Sequence, residues 1–345
     1  MKQILVLINT IIIINIYAQT GGTNTFEFLN LPNAARVASL GGNSIAIYDN
    51  DLNLVFHNPA LLTKQMNNNL VLNYINYFSD INFGYISYAR SFEKYGTFAT
   101  GLHYINYGKF IRADETGIIQ GNFTAQEYAL NIMHARDFND NISYGVNMKL
   151  LYSALDSYFS SGIAFDAGVI YHSDKQLDVA FVIKNAGIQL KRYYKGNREP
   201  LPFDIQLGLS KKLQYAPFRL CVVAENLTNF SMRYDKPQES TDIIFTTDSN
   251  QVSFAEKWAD EFMRHLIFGV EFTPSDNFYI RLGYNYQRRQ ELKITTKTGI
   301  VGFSGGFGIR IAKFDFSYGL ARYHLAGTSH HFSVNFNLSD FIKKE

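Results

Sequence analysis

The sequence predicts an all-β fold, a 14-stranded antiparallel transmembrane β-barrel with a small N-terminal plug containing a short helix. Three observations predict it. Runs alternating between apolar and polar residues recur along most of the chain. The gaps between the runs alternate as well, short then long, as in barrels with one trimmed rim and one rim of working loops. No stretch beyond the N-terminus approaches the roughly 20 apolar residues of a spanning helix, and a mean hydropathy of −0.12 excludes a helical membrane bundle.

One run shows the logic. Ile142, Tyr144, Val146, Met148, Leu150 and Tyr152 fall on one face of a strand, and Ser143, Gly145, Asn147, Lys149 and Ser153 on the other. Only Leu151 breaks the pattern. Side chains alternate faces along a strand, so the apolar face meets lipid and the polar face lines a lumen. Strands are expected at Leu70–Phe78, Asn82–Phe92, Tyr95–Gly108, Phe123–Phe138, Asn141–Leu155, Ser161–His172 and Lys175–Asn185. They continue at Phe203–Leu213, Pro217–Asn226, Arg264–Thr273, Asn277–Gln287, Ile300–Ile311, Lys313–His324 and Ser329–Ser339. An even count suits a closed barrel with both termini on one side.

Gaps after even-numbered strands are brief, such as Glu93-Lys94, Asn139-Asp140 and Pro274-Ser275-Asp276, and hold turn formers. Gaps after odd-numbered strands are longer: Lys109–Asn122, Asp156–Ser160, Ala186–Pro202, Leu227–Met263 and Arg288–Gly299. Two odd gaps, near Asp80 and near Ala326-Gly327, are short. They flank the first and last strands, so the long-loop rim should be low at the closing seam and tall opposite.

Ahead of the strands, residues 1–18 read as a signal peptide: Lys2, an Ile-rich core over Ile4–Ile14, and cleavage after Ala18. Residues 19–69 form the expected plug and 70–345 the barrel. Within the plug, Pro32 precedes a short helix with Ala34, Val37 and Ala38 at helical spacing, and Gly41-Gly42 stops it. Its Ala, Gly and apolar content favours folding inside the lumen. Asp49, Asp51 and Asn53 match the first positions of a calcium loop. Leu54 and Ala60 stand where that loop needs Gly and Glu, so a polar turn is the plainer account.

The chain is 15% aromatic, chiefly through 29 Phe and 23 Tyr, which suits aromatic girdles at two membrane interfaces. A net charge of +2 argues against a nucleic-acid role. Cys221 is the single cysteine, so no intrachain disulfide forms. None of the 8 histidines belongs to an H-E-x-x-H motif, and no G-x-S-x-G elbow occurs. His330-His331 with Asp315 or Glu271 is the one catalytic grouping worth naming, and ordinary lumen-facing polar residues explain it better. No catalytic, cofactor or metal residues are assigned. The glycines at 302, 305, 306 and 308 fit relief of crowding inside a barrel.

Two loop features are candidate contact sites. Lys191, Arg192, Lys195 and Arg198 cluster in one expected outer loop, as solvated charge or as a contact for lipopolysaccharide phosphates or a partner. The longest loop ends in an amphipathic helix over Val252–Met263, where Phe254, Trp258 and Phe262 share one face. That face either packs on the rim or anchors a protein partner.

Several longer stretches carry a family resemblance. They are Gln19–Gly22, Phe26–Pro32 (FEFLNLP), Ala34–Gly42 (AARVASLGG), Asp51–Leu61 (DLNLVFHNPAL), Phe78–Gly84 (FSDINFG), Tyr95–Phe98 and Phe262–Phe272 (FMRHLIFGVEF). Together they resemble the PorV/PorQ family of the Bacteroidetes type IX secretion system and span essentially the mature chain. That family is similar to FadL-type barrels. The resemblance implies a non-enzymatic outer-membrane component of the cell-surface attachment complex, working with PorZ-like, PorU-like and PorV-like partners. It carries over no partner-binding residues, because the matching stretches lie in the plug and barrel rather than in the outer loops. The other reading is a FadL-type transporter of hydrophobic compounds. The polar lumen face of Ser143, Asn147 and Lys149 argues against a greasy conduit.

Overall fold

A computed structural model describes residues 24–196, 198–229, 231–232, 254–292, 299–324 and 327–341. The expected cleavage site lies outside the described residues, as do 233–253 of the longest loop.

Strands β1 (Asn69–Asn76), β2 (Asn82–Phe92), β3 (Gly96–Ala113), β4 (Ile119–Asp137), β5 (Ile142–Leu155), β6 (Tyr158–His172) and β7 (Leu177–Lys191) form half of the wall. The rest is β8 (Asp204–Lys212), β9 (Phe218–Ala224), β10 (Leu266–Ser275), β11 (Phe278–Asn285), β12 (Phe303–Ile311), β13 (Phe314–His324) and β14 (Gly327–Asn337). Each strand pairs antiparallel with its sequence neighbours, and β1 pairs with β14, closing the barrel. No helix among the described residues is long and apolar enough to cross a membrane.

Period two dictates which side faces lipid. On β5, Asn147, Lys149 and Ser153 are fully buried while Val146, Leu150 and Tyr152 are 42–50% exposed. Leu151, the break in the pattern, faces inward and joins an apolar cluster with Phe26 and Phe28. The outward face carries aromatic rows across neighbouring strands, such as Tyr104, Tyr128 and Tyr152.

The connections differ from expectation in length. β3 and β4 pair far past the expected loop, through Arg112↔Gly121, and β5 and β6 pair to Leu155↔Tyr158. β7 runs on to Lys191, past an irregularity at Asn185, which adopts φ 56°. Sequence breaks at Gly, Asn and Asp hid these extensions, because antiparallel pairing tolerates bulges there. The long-loop rim is therefore low at β1–β2, as expected, but already tall at the β3–β4 hairpin. The helix of the longest loop is α2 (Phe254–Arg264), close to the predicted span. A helix not foreseen, α3 (Tyr286–Glu291), follows β11.

The N-terminal segment folds inside the lumen. It begins at the long-loop rim, where the Thr25 amide donates to the Pro200 carbonyl at 2.9 Å. It leaves at the short-turn rim, where Asn68 bonds with Ala89 and Leu338. Between them, helix α1 (Ala35–Ser39) is buried throughout, as are Leu52–Phe56 and Pro59–Leu61. Two apolar clusters join plug to wall.

Candidate functional site

The interface between plug and wall is the site that the fold builds. Helix α1 is a single turn without a side-chain cap. The wall supplies what its sequence lacks: Ser333 Oγ accepts from the Ala35 amide at 2.9 Å. The helix ends as Gly41-Gly42 predicted. Gly42 N bonds to Val37 O and Gly41 N to Ala38 O, with φ near +100° at both glycines. Ser304 Oγ on β12 accepts from Gly41 N at 3.0 Å and donates to Ser39 O at 3.0 Å.

The wall is shaped for this contact. A Cβ at Gly319 would lie 2.4 Å from the Ala35 carbonyl oxygen, and one at Gly306 would lie 2.1 Å from Ser39 Oγ. A second seat takes Asn58-Pro59, where a Cβ at Gly145 would meet the Pro59 backbone at 2.4 Å. The expected relief of crowding at Gly306 therefore has a specific object, the plug helix.

Charges fasten the opposite end. Glu271 on β10 lies in register between Arg219 on β9 and Arg281 on β11. Arg36 from the plug binds Glu271 through Nε–Oε1 at 2.8 Å and Nη2–Oε2 at 2.9 Å. Its remaining donors reach Asp49 at 2.7 Å and Asp51 at 3.1 Å. Arg219 Nη1 lies 3.0 Å from both Asp49 and Glu271, and Arg281 Nε lies 2.9 Å from Glu271. The wall trio carries a net +1 (two Arg, one Glu) and the plug trio a net −1 (one Arg, two Asp), so docking neutralises both. Burial alone would raise the Asp49 carboxyl, but Arg36 and Arg219 outweigh it and hold Asp49 below its ordinary range. The calcium-like acidic run is thus answered by arginine, and Asp51 Oδ1 also accepts from the Asn53 amide at 3.0 Å.

A third anchor is Phe56. Lys149 Nζ lies 5.4 Å and Lys184 Nζ 5.8 Å from its ring centroid, within cation–π range. Lys149 is itself fully buried against Asp166 at 2.7 Å and Asn185 at 2.7 Å. Beside it, His57 Nε2 meets Asn33 Oδ1 at 3.0 Å. Burial, then the Lys184 and Lys149 charges, push His57 well below its ordinary value, so it is neutral.

A cavity of about 760 Å³ opens at the short-turn rim, and its floor is the ion cluster. Arg310 and Asp315 line it too, 3.3 Å apart. Toward the long-loop rim, Phe26, Phe28, Phe83, Leu151 and Leu201 pack together.

The sequence-predicted residues fall as follows. His330 and His331 do not meet Glu271 or Asp315 in a catalytic array. His330 Nδ1 bonds to Tyr318 at 2.7 Å and His331 Nε2 to Ser329 at 3.0 Å. Glu271 belongs to the arginines, and Asp315 accepts from Tyr279 at 2.9 Å. Among the described residues, no group of three His, Cys, Asp or Glu is placed to hold a metal. Phe254 opens α2, while Trp258 and Phe262 stack at 5.6 Å and are 54% and 45% exposed. Lys191 ends β7 over the Phe159 ring, and Arg192, Lys195 and Arg198 are exposed in the segment that follows. Sequence reasoning missed Arg36, Arg219 and Arg281, and named Glu271 only as a possible acid for His330-His331. Their one signal was charge inside otherwise apolar, strand-like or helical runs.

No protein-family model and no curated protein matches this chain. Solved structures do. The Ralstonia pickettii toluene transporter TbuX is similar over 89% of this chain and 99% of its own, at 11% identity and a TM-score of 0.53. The Pseudomonas putida toluene transporter TodX is similar over 88% and 96%, at 12% identity and a TM-score of 0.53. A Pseudomonas aeruginosa FadL homologue is similar over 88% and 98%, at 10% identity and a TM-score of 0.48. At these identities the likeness concerns the fold alone, a β-barrel architecture shared with TbuX and TodX.

Proposed function

We propose that this chain is a sealed outer-membrane barrel that anchors surface proteins of a type IX secretion system. It would hold a PorZ-like partner alongside PorU-like and PorV-like components. The observation that carries this reading is the plug. It threads the whole lumen, buries nearly every side chain from Asn33 to Met66, and is fastened by glycine seats and a neutralised ion cluster. Such a barrel is built to stay shut and present its rim. The resemblance over FEFLNLP, AARVASLGG, DLNLVFHNPAL and FMRHLIFGVEF supports this choice of complex. The contact surface is placed at the tall rim, with Trp258 and Phe262 as aromatic anchors. Lys191, Arg192, Lys195 and Arg198 are placed against lipopolysaccharide phosphates. A mild-detergent pull-down from native outer membranes tests the assignment. PorZ-like and PorU-like chains should co-purify, and deletion of residues 228–262 should release them while the barrel still assembles.

On fold likeness alone, a second reading is better supported: a transporter of hydrophobic compounds. Two toluene transporters share this architecture over nearly the full chain. The apolar cluster of Phe26, Phe28 and Phe83 beneath the long-loop rim would be its entry point. Native mass spectrometry that finds a bound hydrophobic molecule, with uptake lost on deletion of the gene, would favour this reading over the anchor.

A further inference from the structure

Two side chains of the β11–β12 connection reach the plug. Asn285 stands where β11 passes into α3. Its Oδ1 accepts from the Arg288 amide at 2.9 Å and caps the helix. Its Nδ2 donates to the plug at the Gly41 carbonyl, 3.5 Å away. One amide group thus fixes the helix and holds the plug together. Arg288, one turn on, lies along the next plug residue. A Cβ at Gly42 would sit 2.6 Å from Arg288 Nη2, and that residue adopts φ +104°. The guanidinium covers the Tyr323 ring of β13 at 4.1 Å.

These contacts fall where the plug backbone turns. Gly41 and Gly42 end α1, and both have positive φ. Just beyond, Asn43 bonds to Gln206 at 3.0 Å and to Glu225 at 2.8 Å. Helix α3 is braced from outside. Tyr286 Oη donates to Asp260 of α2 at 2.7 Å, and Asn226 donates to Gln287 at 3.1 Å.

We infer that α3 is a strap: Asn285 and Arg288 clamp the Gly41–Gly42 turn, so the long-loop rim controls how firmly the plug is held. The inference does not depend on whether the barrel anchors partners or passes hydrophobic molecules. It follows from one connected path: α2, Tyr286, α3, Asn285 and Arg288, then the turn.

The test uses the full chain in detergent micelles. Asn285→Asp keeps the capping oxygen but removes the donor to Gly41. Arg288→Met removes the guanidinium and keeps an unbranched apolar stem. Hydrogen exchange is read on peptides covering residues 35–48, with β5–β6 peptides as the internal reference. In the double variant, plug exchange should rise roughly tenfold while the reference stays within about twofold. Exchange that rises only in α3, or in neither region, overturns the strap. If the double variant fails to fold, Asn285→Asp alone decides. It should raise plug exchange roughly threefold, and exchange matching the parent would overturn the inference.

Discussion

Arg36 grips Glu271 with two parallel hydrogen bonds, 2.8 and 2.9 Å long, between side chains that are 8% and 1% exposed. The plug is joined to the wall by a planar, charge-assisted contact that lysine could not reproduce. Removing Glu271 would leave Arg36 and Arg219 with only Asp49 and Asp51 of the plug, and would strip Arg281 of its carboxylate. Glu271→Ala should therefore destabilise the docked plug by about 3–5 kcal/mol. Denaturant titration followed by plug-peptide exchange measures it; a change below about 1 kcal/mol would mean the cluster is not a latch.

The glycine seats give a steric counterpart. Gly145→Val would force a side chain into the Pro59 backbone, and Gly319→Leu into the Ala35 carbonyl. Overpacking of this kind costs about 1–3 kcal/mol or more. The barrel wall has no reason to fail, since both strands keep their ladders. Heat-modifiable gel migration should stay normal while trypsin gains access to the plug.

The outward and inward faces of β5 should differ in how much a substitution costs. Leu150→Arg places a charge on the lipid-facing side near the middle of β5, at a cost of about 2–4 kcal/mol if it lies at the bilayer midplane. Reversible unfolding in lipid reports it. Ser153→Ala, on the buried face of the same strand, removes a hydroxyl that receives the Tyr193 hydroxyl and should cost about 1 kcal/mol.

Acid should loosen the plug partly through His57. Its folded-state value is depressed by burial and the nearby lysines, so the unfolded segment binds the proton more readily. The contribution is complete above the unfolded value of 6.5 and is lost as pH falls below it. Plug protection, corrected for the pH dependence of intrinsic amide exchange, should fall below about pH 6.5. His57→Gln, which keeps a donor for Asn33, should flatten that profile.

The wall was legible in the sequence because lipid enforces period two on every strand, as at Val146, Leu150 and Tyr152. The plug helix was legible because Gly41-Gly42 and the Ala34, Val37, Ala38 spacing are local signals. The ion cluster was not. Arg36 and Glu271 are 235 residues apart, and only barrel closure with the plug inside brings them together. Arg219, Glu271 and Arg281 looked like ordinary lumen polarity until strand register aligned them. The extended β3–β4 hairpin was hidden for a different reason. Lys109, Arg112 and Asn122 interrupt the apolar–polar alternation, while pairing continues past them.

Locking the plug tests the central claim most directly. Asn53→Cys on the plug with Asn73→Cys on β1 replaces a plug and a wall side chain that hydrogen-bond at 2.7 Å, to be bridged by oxidation. In oxidised cells the sealed-anchor account predicts unchanged recovery of PorZ-like and PorU-like chains with the barrel and unchanged growth on hydrophobic compounds. Loss of hydrophobic-compound uptake on oxidation, restored by reduction, would contradict it.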